Sequence, residues 1–283
     1  MKKIVILGSK GFVGKNLVEE IIIRKTYDLL QISRDNVDFL SKDFVDLLQK
    51  EISDGNIVIN CFAVAPCKNL DQLNINLKLI SNFLKGLDNK KNLNLINISS
   101  DAVYPDINGK LNEEVQPMPN SIHGIMHQLR EDLISLNFEN FLNIRPTLIF
   151  GYGDPHGGYG PNQFIQKILN NQEIDLFGKG EELRDHIYIK DLVNLIILSI
   201  EKNIKGNLNL VTGQVTSFFD IAKSVVNISN KNIKINFSER KGLMPHNGYR
   251  AFDKSKISSE FSSYKFYELT DALKETYNKY IDE

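Results

Sequence analysis

Gly8, Gly11 and Gly14 follow directly on the apolar run Ile4-Val5-Ile6-Leu7. The run reads as a strand. The stretch after the glycines carries Phe12, Val13, Leu17, Val18, Ile21 and Ile22 at helical spacing. Strand, tight turn and helix together aim backbone N–H groups, those of Phe12 and Val13 among them, at a pyrophosphate. Three glycines alone also fit a plain strand-to-helix turn; the flanking elements favour the binding reading. The next strand ends Ile32-Ser33-Arg34-Asp35. A carboxylate at that place accepts from a ribose 2′-hydroxyl, and a basic group pairs with a 2′-phosphate. Ser33, Arg34 and Lys10 therefore lean toward NADP over NAD. Asp35 pulls the other way, and Arg34 also reads as a solvated loop cation.

Two further groups of residues could do chemistry. The segment Ser99-Ser100-Asp101-Ala102-Val103-Tyr104 closes an apolar strand, and a hydroxyl at the C-terminal edge of a parallel sheet faces the crevice where ligands bind. His123 and His127 stand four apart on a helical stretch and so share a face. An imidazole titrates near neutral pH and exchanges protons without help. The same spacing suits two metal ligands, but no third ligand is evident, so no metal is expected.

The elements that must hold these residues alternate. Strands are expected over 3–7, 28–33, 57–62, 93–99 and 141–147, and helices over 11–24, 44–52, 70–87 and 121–136. This alternation predicts a Rossmann-type, doubly wound parallel sheet in an α/β protein. The glycine-rich stretch 151–160 leaves that rhythm. Beyond it a helix over 163–170, strands near 174–177 and 233–237, and two helical stretches in the tail suggest a small α/β lobe, with 208–211 returning to the sheet. The expected division is a dinucleotide-binding lobe of 1–160 plus 187–212 and a C-terminal substrate lobe of 161–186 plus 213–283.

The 283 residues are enough for one large or two modest lobes. Apolar content of 42% and charged content of 24% are those of an ordinary globular protein. The net charge of −1, without a basic stripe, argues against a nucleic-acid partner. The first strand begins at once, with no signal-peptide layout and no apolar run of bilayer length; a cytoplasmic protein is expected. Cys61 and Cys67 read as idle thiols.

Taken together, these stretches resemble the extended short-chain dehydrogenase/reductase family that acts on nucleotide sugars. Gly8, Gly11 and Gly14 are similar to its cofactor turn. Asn60-Cys61-Phe62-Ala63 resembles the end of its fourth strand, and Ser99 to Tyr104 its serine strand, with Ser100 at the catalytic hydroxyl position. Ile144-Arg145-Pro146-Thr147-Leu148-Ile149-Phe150-Gly151 resembles the strand bordering the nicotinamide. Phe177-Gly178-Lys179-Gly180, followed by Arg184-Asp185-His186-Ile187-Tyr188-Ile189-Lys190-Asp191-Leu192, resembles its late signature. The likeness covers nearly the whole chain. It implies that Asp38, Phe62, Ala63, Ser99, His127 and Pro146 border the cofactor and that Ser100 and Asp101 face the substrate. It also implies that Arg184 meets the sugar-nucleotide diphosphate, with Arg250 and Asn162 as further contacts and a homodimer formed through two helices.

One departure stands out. Where the family keeps Tyr-x-x-x-Lys, this chain has His123-Gly124-Ile125-Met126-His127. His123 then replaces the tyrosine as proton carrier, and His127 holds the cofactor ribose or relays the proton. Tyr152, His156 and Tyr159 are substitute donors. What the resemblance implies is hydride transfer on an NDP-hexose-type sugar, first as a ketoreductase and next as an epimerase or dehydrogenase. Dehydration ranks last, because Asp101-Ala102 replaces the acidic pair of the family's dehydratases. A non-catalytic dinucleotide or sugar-nucleotide binding protein is the alternative of another class, and a structural partner in a sugar-modifying complex a third.

Overall fold

The structure, a computed structural model, describes every residue except Met1, Lys91, His156 and Glu283. In chain order the elements are β1 (Lys3–Leu7), α1 (Phe12–Arg24), β2 (Asp28–Ile32), α2 (Lys42–Glu51), β3 (Ile57–Asn60), α3 (Leu70–Gly86), β4 (Asn94–Ile98), β5 (Lys110–Leu111), α4 (Ile122–Asn137), β6 (Phe141–Pro146), β7 (Leu148–Phe150), α5 (Pro161–Leu169), β8 (Ile174–Phe177), β9 (Leu183–Tyr188), α6 (Ile189–Glu201), β10 (Gly206–Leu210), β11 (Val215–Ser217), α7 (Phe218–Ser229), β12 (Ile235–Ser238), β13 (Tyr249–Phe252), α8 (Ser255–Glu260) and α9 (Leu269–Ile281). The early strands and helices fall within a residue or two of the expected bounds. Side-chain caps explain several helix starts: Ser41, Asn69 and Ser121 each accept a first-turn N–H at the head of α2, α3 and α4.

The chain packs as two compact units. The first comprises the residues up to Pro105, Glu113–Pro146 and Val193–Asn209. Its sheet runs β10-β6-β4-β3-β1-β2, with parallel ladders from β2 through β6. Ile4 to Leu7 and Val58 to Ile59 are fully buried, as strands covered on both faces must be. Leu48, Ile80 and Phe83 pack with Phe44 and Phe62 against this sheet. Because β2 and β3 lie on opposite sides of β1, the C-terminal ends of β1 and β3 flank a topological switch point. The stretch that resembles the end of the family's fourth strand follows this chain's third strand, β3, and the sheet ends at β2.

A polar ladder crosses the same sheet. Asn60 Nδ2 donates to Asn97 Oδ1 (3.2 Å), Asn97 Nδ2 to Asn143 Oδ1 (3.0 Å) and Asn143 Nδ2 to Asn207 Oδ1 (3.1 Å). Each amide satisfies the next, which is what lets asparagines lie buried in neighbouring strands.

The second unit comprises Asp106–Asn112, Thr147–Leu192 and Leu210 onward. Its sheet runs β11-β9-β13-β5 with β7 beside β9, and β12 pairs with β8. The boundaries depart from the expected ones: residues 106–112, 147–160, 187–192 and 210–212 pack here, and β5 and β7 join the sheet built on β9 and β13. Several elements escaped the sequence reading, among them α6, β9 and the short strands β5, β11 and β13. α6 is apolar nearly all round, so it shows no stripe, and β9 hides behind buried polar residues, Arg184, Asp185 and His186.

Candidate active site

The turn after β1 is built so that only glycine fits. Gly8 has φ +82°, and a Cβ there meets the Cys61 carbonyl carbon at 3.1 Å; a Cβ at Gly14 meets Gly8 O at 2.2 Å. α1 therefore starts hard against the end of β1. Its N-cap is Gly11, and no side chain caps it, so the first-turn amides of Phe12 and Val13 are left for a ligand. A cavity of about 200 Å³ opens at the turn, lined among others by Gly8, Lys10, Gly11, Arg34, Phe62 and Ala63. This cradle fits a dinucleotide.

The end of β2 is arranged differently from the sequence reading. Lys10 pairs with Asp35 rather than standing open to a phosphate. The Ser33 hydroxyl is buried and held in a local turn, donating to Asn36 Oδ1 at 3.0 Å and accepting from the Asp35 N–H at 3.3 Å. Arg34 is exposed at the cavity edge. Asp38 is exposed too, and its carboxylate accepts the Leu40 N–H at 3.0 Å. Pro146 is buried at the end of β6.

The serine strand and the histidine helix meet through a second glycine. A Cβ at Gly124 lies 2.1 Å from Ala102 O and 2.6 Å from Pro119 Cβ, so the head of α4 sits directly on the one-turn 3-10 helix Asp101–Val103. Ser100 caps that turn; its hydroxyl accepts the Ala102 N–H at 3.1 Å and donates toward the buried Asp101 at 3.4 Å. Ser99 Oγ is buried and has no partner among the described residues. Half-buried His123 accepts the Cys67 N–H at Nδ1 (3.3 Å), which makes Nε2 the protonated nitrogen of its neutral ring. The His127 ring stands edge-on to it, centroids 4.7 Å apart. His127 is buried, and its Nδ1 has no partner among the described residues. Burial above all, then Arg130 and His123, pushes its pKa well below the ordinary imidazole value. A neutral histidine thus occupies the position where a lysine was expected.

In the second unit, Arg184 is buried and donates from Nη1 to Glu182 at 3.2 Å, while its Nε has no partner among the described residues. Arg250, also buried, donates to Asp106 at 3.1 Å, and His246 pairs with the same carboxylate. Asn162 departs from its expected role. Its amide latches the loop after β7, donating to Gly151 O at 2.6 Å and accepting the Gly151 N–H at 3.1 Å, which leaves one donor hydrogen and one lone pair. Tyr159 sits in an aromatic cluster with Phe164, Phe177 and Phe218, and its hydroxyl accepts the Phe177 N–H at 3.3 Å. Tyr152 packs against Tyr280 with the rings tilted by 60°. His156 lies outside the described residues.

Residues 4–211 match the NAD dependent epimerase/dehydratase family. The chain belongs to that family. Among curated relatives, the putative UDP-glucose 4-epimerase of Methanocaldococcus jannaschii is 28% identical over 78% of this chain and 81% of its own length. A dTDP-D-glucose 4,6-dehydratase of Dictyostelium discoideum is 26% identical over 81% of this chain and 62% of its own. Among solved structures, the UDP-glucuronic acid 4-epimerase of Bacillus cereus, in complex with UDP-glucuronic acid and NAD, superposes with a TM-score of 0.84 at 22% identity, over 99% of each chain.

Within this epimerase/dehydratase family member, the lean toward NADP finds no support. The neighbouring structure carries NAD, and one of the two cations counted for a 2′-phosphate is taken by Asp35. Sequence reasoning also missed Gly124, Arg130, Asn97 and the Cys67 amide. A glycine within a helix beside the two histidines was the available signal for Gly124; the others are long-range contacts.

Proposed function

We propose that this chain transfers hydride between NAD and a carbon of a nucleotide-activated sugar, and that His123 handles the proton of the sugar oxygen. The observation that carries the reading is the tautomer imposed on His123. With Nδ1 accepting the Cys67 N–H, the neutral ring carries its proton on Nε2, and the helix that bears it packs on the serine turn at Gly124. A neutral imidazole that donates rather than accepts can polarise a carbonyl and pass it a proton. Ser100 adds a hydroxyl from the serine turn for the sugar oxygen. The bound nicotinamide supplies or takes the hydride.

The remaining roles follow from the chain's own groups. The glycine turn and the amides of Phe12 and Val13 hold the pyrophosphate, with Ser99, His127, Phe62, Ala63, Asp38 and Pro146 along the dinucleotide. Asp35, with Lys10 attached, favours a free ribose 2′-hydroxyl and hence NAD. Arg184, whose Nε lacks a partner among the described residues, and Arg250 suit a diphosphate, since a guanidinium donates to two oxygens at once. The first unit is then the cofactor unit and the second the substrate unit. A cytoplasmic homodimer completes the reading; Leu70 and Leu136 on α3 and α4 are exposed apolar residues suited to the contact.

Reduction of a keto sugar is the preferred net reaction, because Ala102 removes the second acidic residue expected of a dehydratase. Epimerisation is the second reading. It is favoured by the Lys10–Asp35 pair, which suits NAD, and by the activities the relatives are named for. The test begins with fluorescence titration of NADH against NADPH, followed by turnover with UDP-, dTDP-, ADP- and CDP-sugars. His123→Ala is expected to remove most turnover while leaving NADH affinity unchanged. Full turnover in that variant sinks the assignment.

A further inference from the structure

Arg130 lies one helical turn beyond His127, 3% exposed, with its guanidinium between α4 and the sheet. Nη2 donates to Asn97 Oδ1 at 3.1 Å. It has no carboxylate partner among the described residues. Its neighbour Glu131 is taken by Arg145, which binds that carboxylate through Nε (3.0 Å) and Nη2 (2.6 Å). A buried cation that no carboxylate binds directly is costly, and here the charge of Glu131 acts on it only through space. His127 Nδ1, one turn back on the same helix, and Ser99 Oγ, two residues beyond Asn97, are buried atoms without a partner among the described residues.

We propose that Arg130 is the fixed positive charge of this active site, a positioning residue that acts on the His123–His127 pair from one turn down the helix. The proposal rests on the reading of His123 given above. When the Nε2 proton of His123 passes to the sugar oxygen, the electron pair of the broken N–H bond stays on the ring, and solvent later returns the proton. The Cys67 N–H at Nδ1 and the charge of Arg130 offset the negative charge that builds there. Lysine is absent from position 127, and the cation is supplied from position 130 instead.

The other charged groups around the pair do not compete for this role. α3 carries Asp71, Lys78 and Lys85 exposed. From β6, Arg145 is bound to Glu131. The 3-10 turn contributes Asp101, which faces the Ser100 hydroxyl. The thiol of Cys61, pushed up to about 12 by burial, is neutral. Arg130 thus acts on His127 with the same sign as burial does.

The test follows the His123 and His127 ring protons by NMR against pH in the whole protein and in Arg130→Met, Arg130→Gln and Arg130→Lys, with melting curves and steady-state kinetics on the sugar found to turn over. Loss of the charge is expected to raise the His127 midpoint by about one pH unit or more. In the same variants kcat is expected to fall about tenfold or more at unchanged KM, while Arg130→Lys keeps both near the original values. Arg130→Met should melt no lower than the parent, since a buried cation that no carboxylate binds directly has been removed. A folded Met or Gln variant with an unmoved midpoint overturns the proposal, as does failure of both variants to fold, which assigns the charge to the fold. A raised midpoint together with full turnover in His123→Ala leaves the charge in place and overturns the role of His123 instead.

Discussion

Gly124→Ala is the most direct perturbation of the contact between the histidine helix and the serine turn. Alanine is the better helix former by about 1 kcal/mol, so propensity alone stabilises the variant. The added Cβ lies 2.1 Å from Ala102 O and 2.6 Å from Pro119 Cβ. Ordinary contact requires a retreat of about 1.3 Å from the Ala102 carbonyl, and Pro119 stands among the atoms that must give. Overpacking of this kind costs about 1–3 kcal/mol, and each kcal/mol lowers the melting temperature by about 2–4 °C in a protein of this size. The retreat carries His123, the preceding residue, away from Ser100. A displacement of about 1 Å at a reacting group costs about a hundredfold in rate. The assay is a melting curve, an NADH titration and turnover on one preparation, with Gly158→Ala as control, where a Cβ meets nothing within 4 Å. The expected result is a lower melting temperature, near-normal NADH affinity and turnover down about a hundredfold. An unchanged melt with full turnover refutes the close contact and the dependence of catalysis on it.

Other perturbations test separate parts of the molecule. Asp35→Ala releases Lys10 and is expected to shift the ratio of NADPH to NADH affinity upward by about tenfold; an unchanged ratio in fluorescence titration removes Asp35 from cofactor choice. Glu131→Gln leaves buried Arg145 without its anion and should destabilise by about 3–5 kcal/mol in urea melts, whereas a loss below about 1 kcal/mol shows the pair to be dispensable. His127, His186 and His246 are all held below the ordinary imidazole value, by burial first, with His186 at about 3. The unfolded chain therefore binds protons that the folded chain refuses, so stability must fall as pH drops below 6.5, for His186 down to about 3. His186→Phe should flatten that slope by up to about 1.4 kcal/mol per pH unit; a slope as steep as the parent's excludes His186 as its source.

The residues themselves determined the frame. β-Branched runs alternating with amphipathic stretches specified the parallel sheet and its helices, because both periods are local properties of the chain. Gly8, Gly11 and Gly14 marked the turn, since a tight strand-to-helix approach tolerates no side chain there. The replacement at 123 and 127 was equally plain from residue types. What those histidines can do was decided by the fold. The Cys67 amide that sets the tautomer of His123 comes from 56 positions away. Asn97, which holds Arg130, comes from 33 positions away, and the burial that keeps His127 neutral has no signature in a single sequence. The same holds for Lys10, whose charge reads as phosphate-seeking until Asp35 is placed beside it, and for Asn162, whose amide latch on Gly151 only the fold shows. Periodicity and backbone freedom are written residue by residue. Proton affinity and hydrogen-bond commitment depend on which distant groups the sheet brings together and how much water it shuts out.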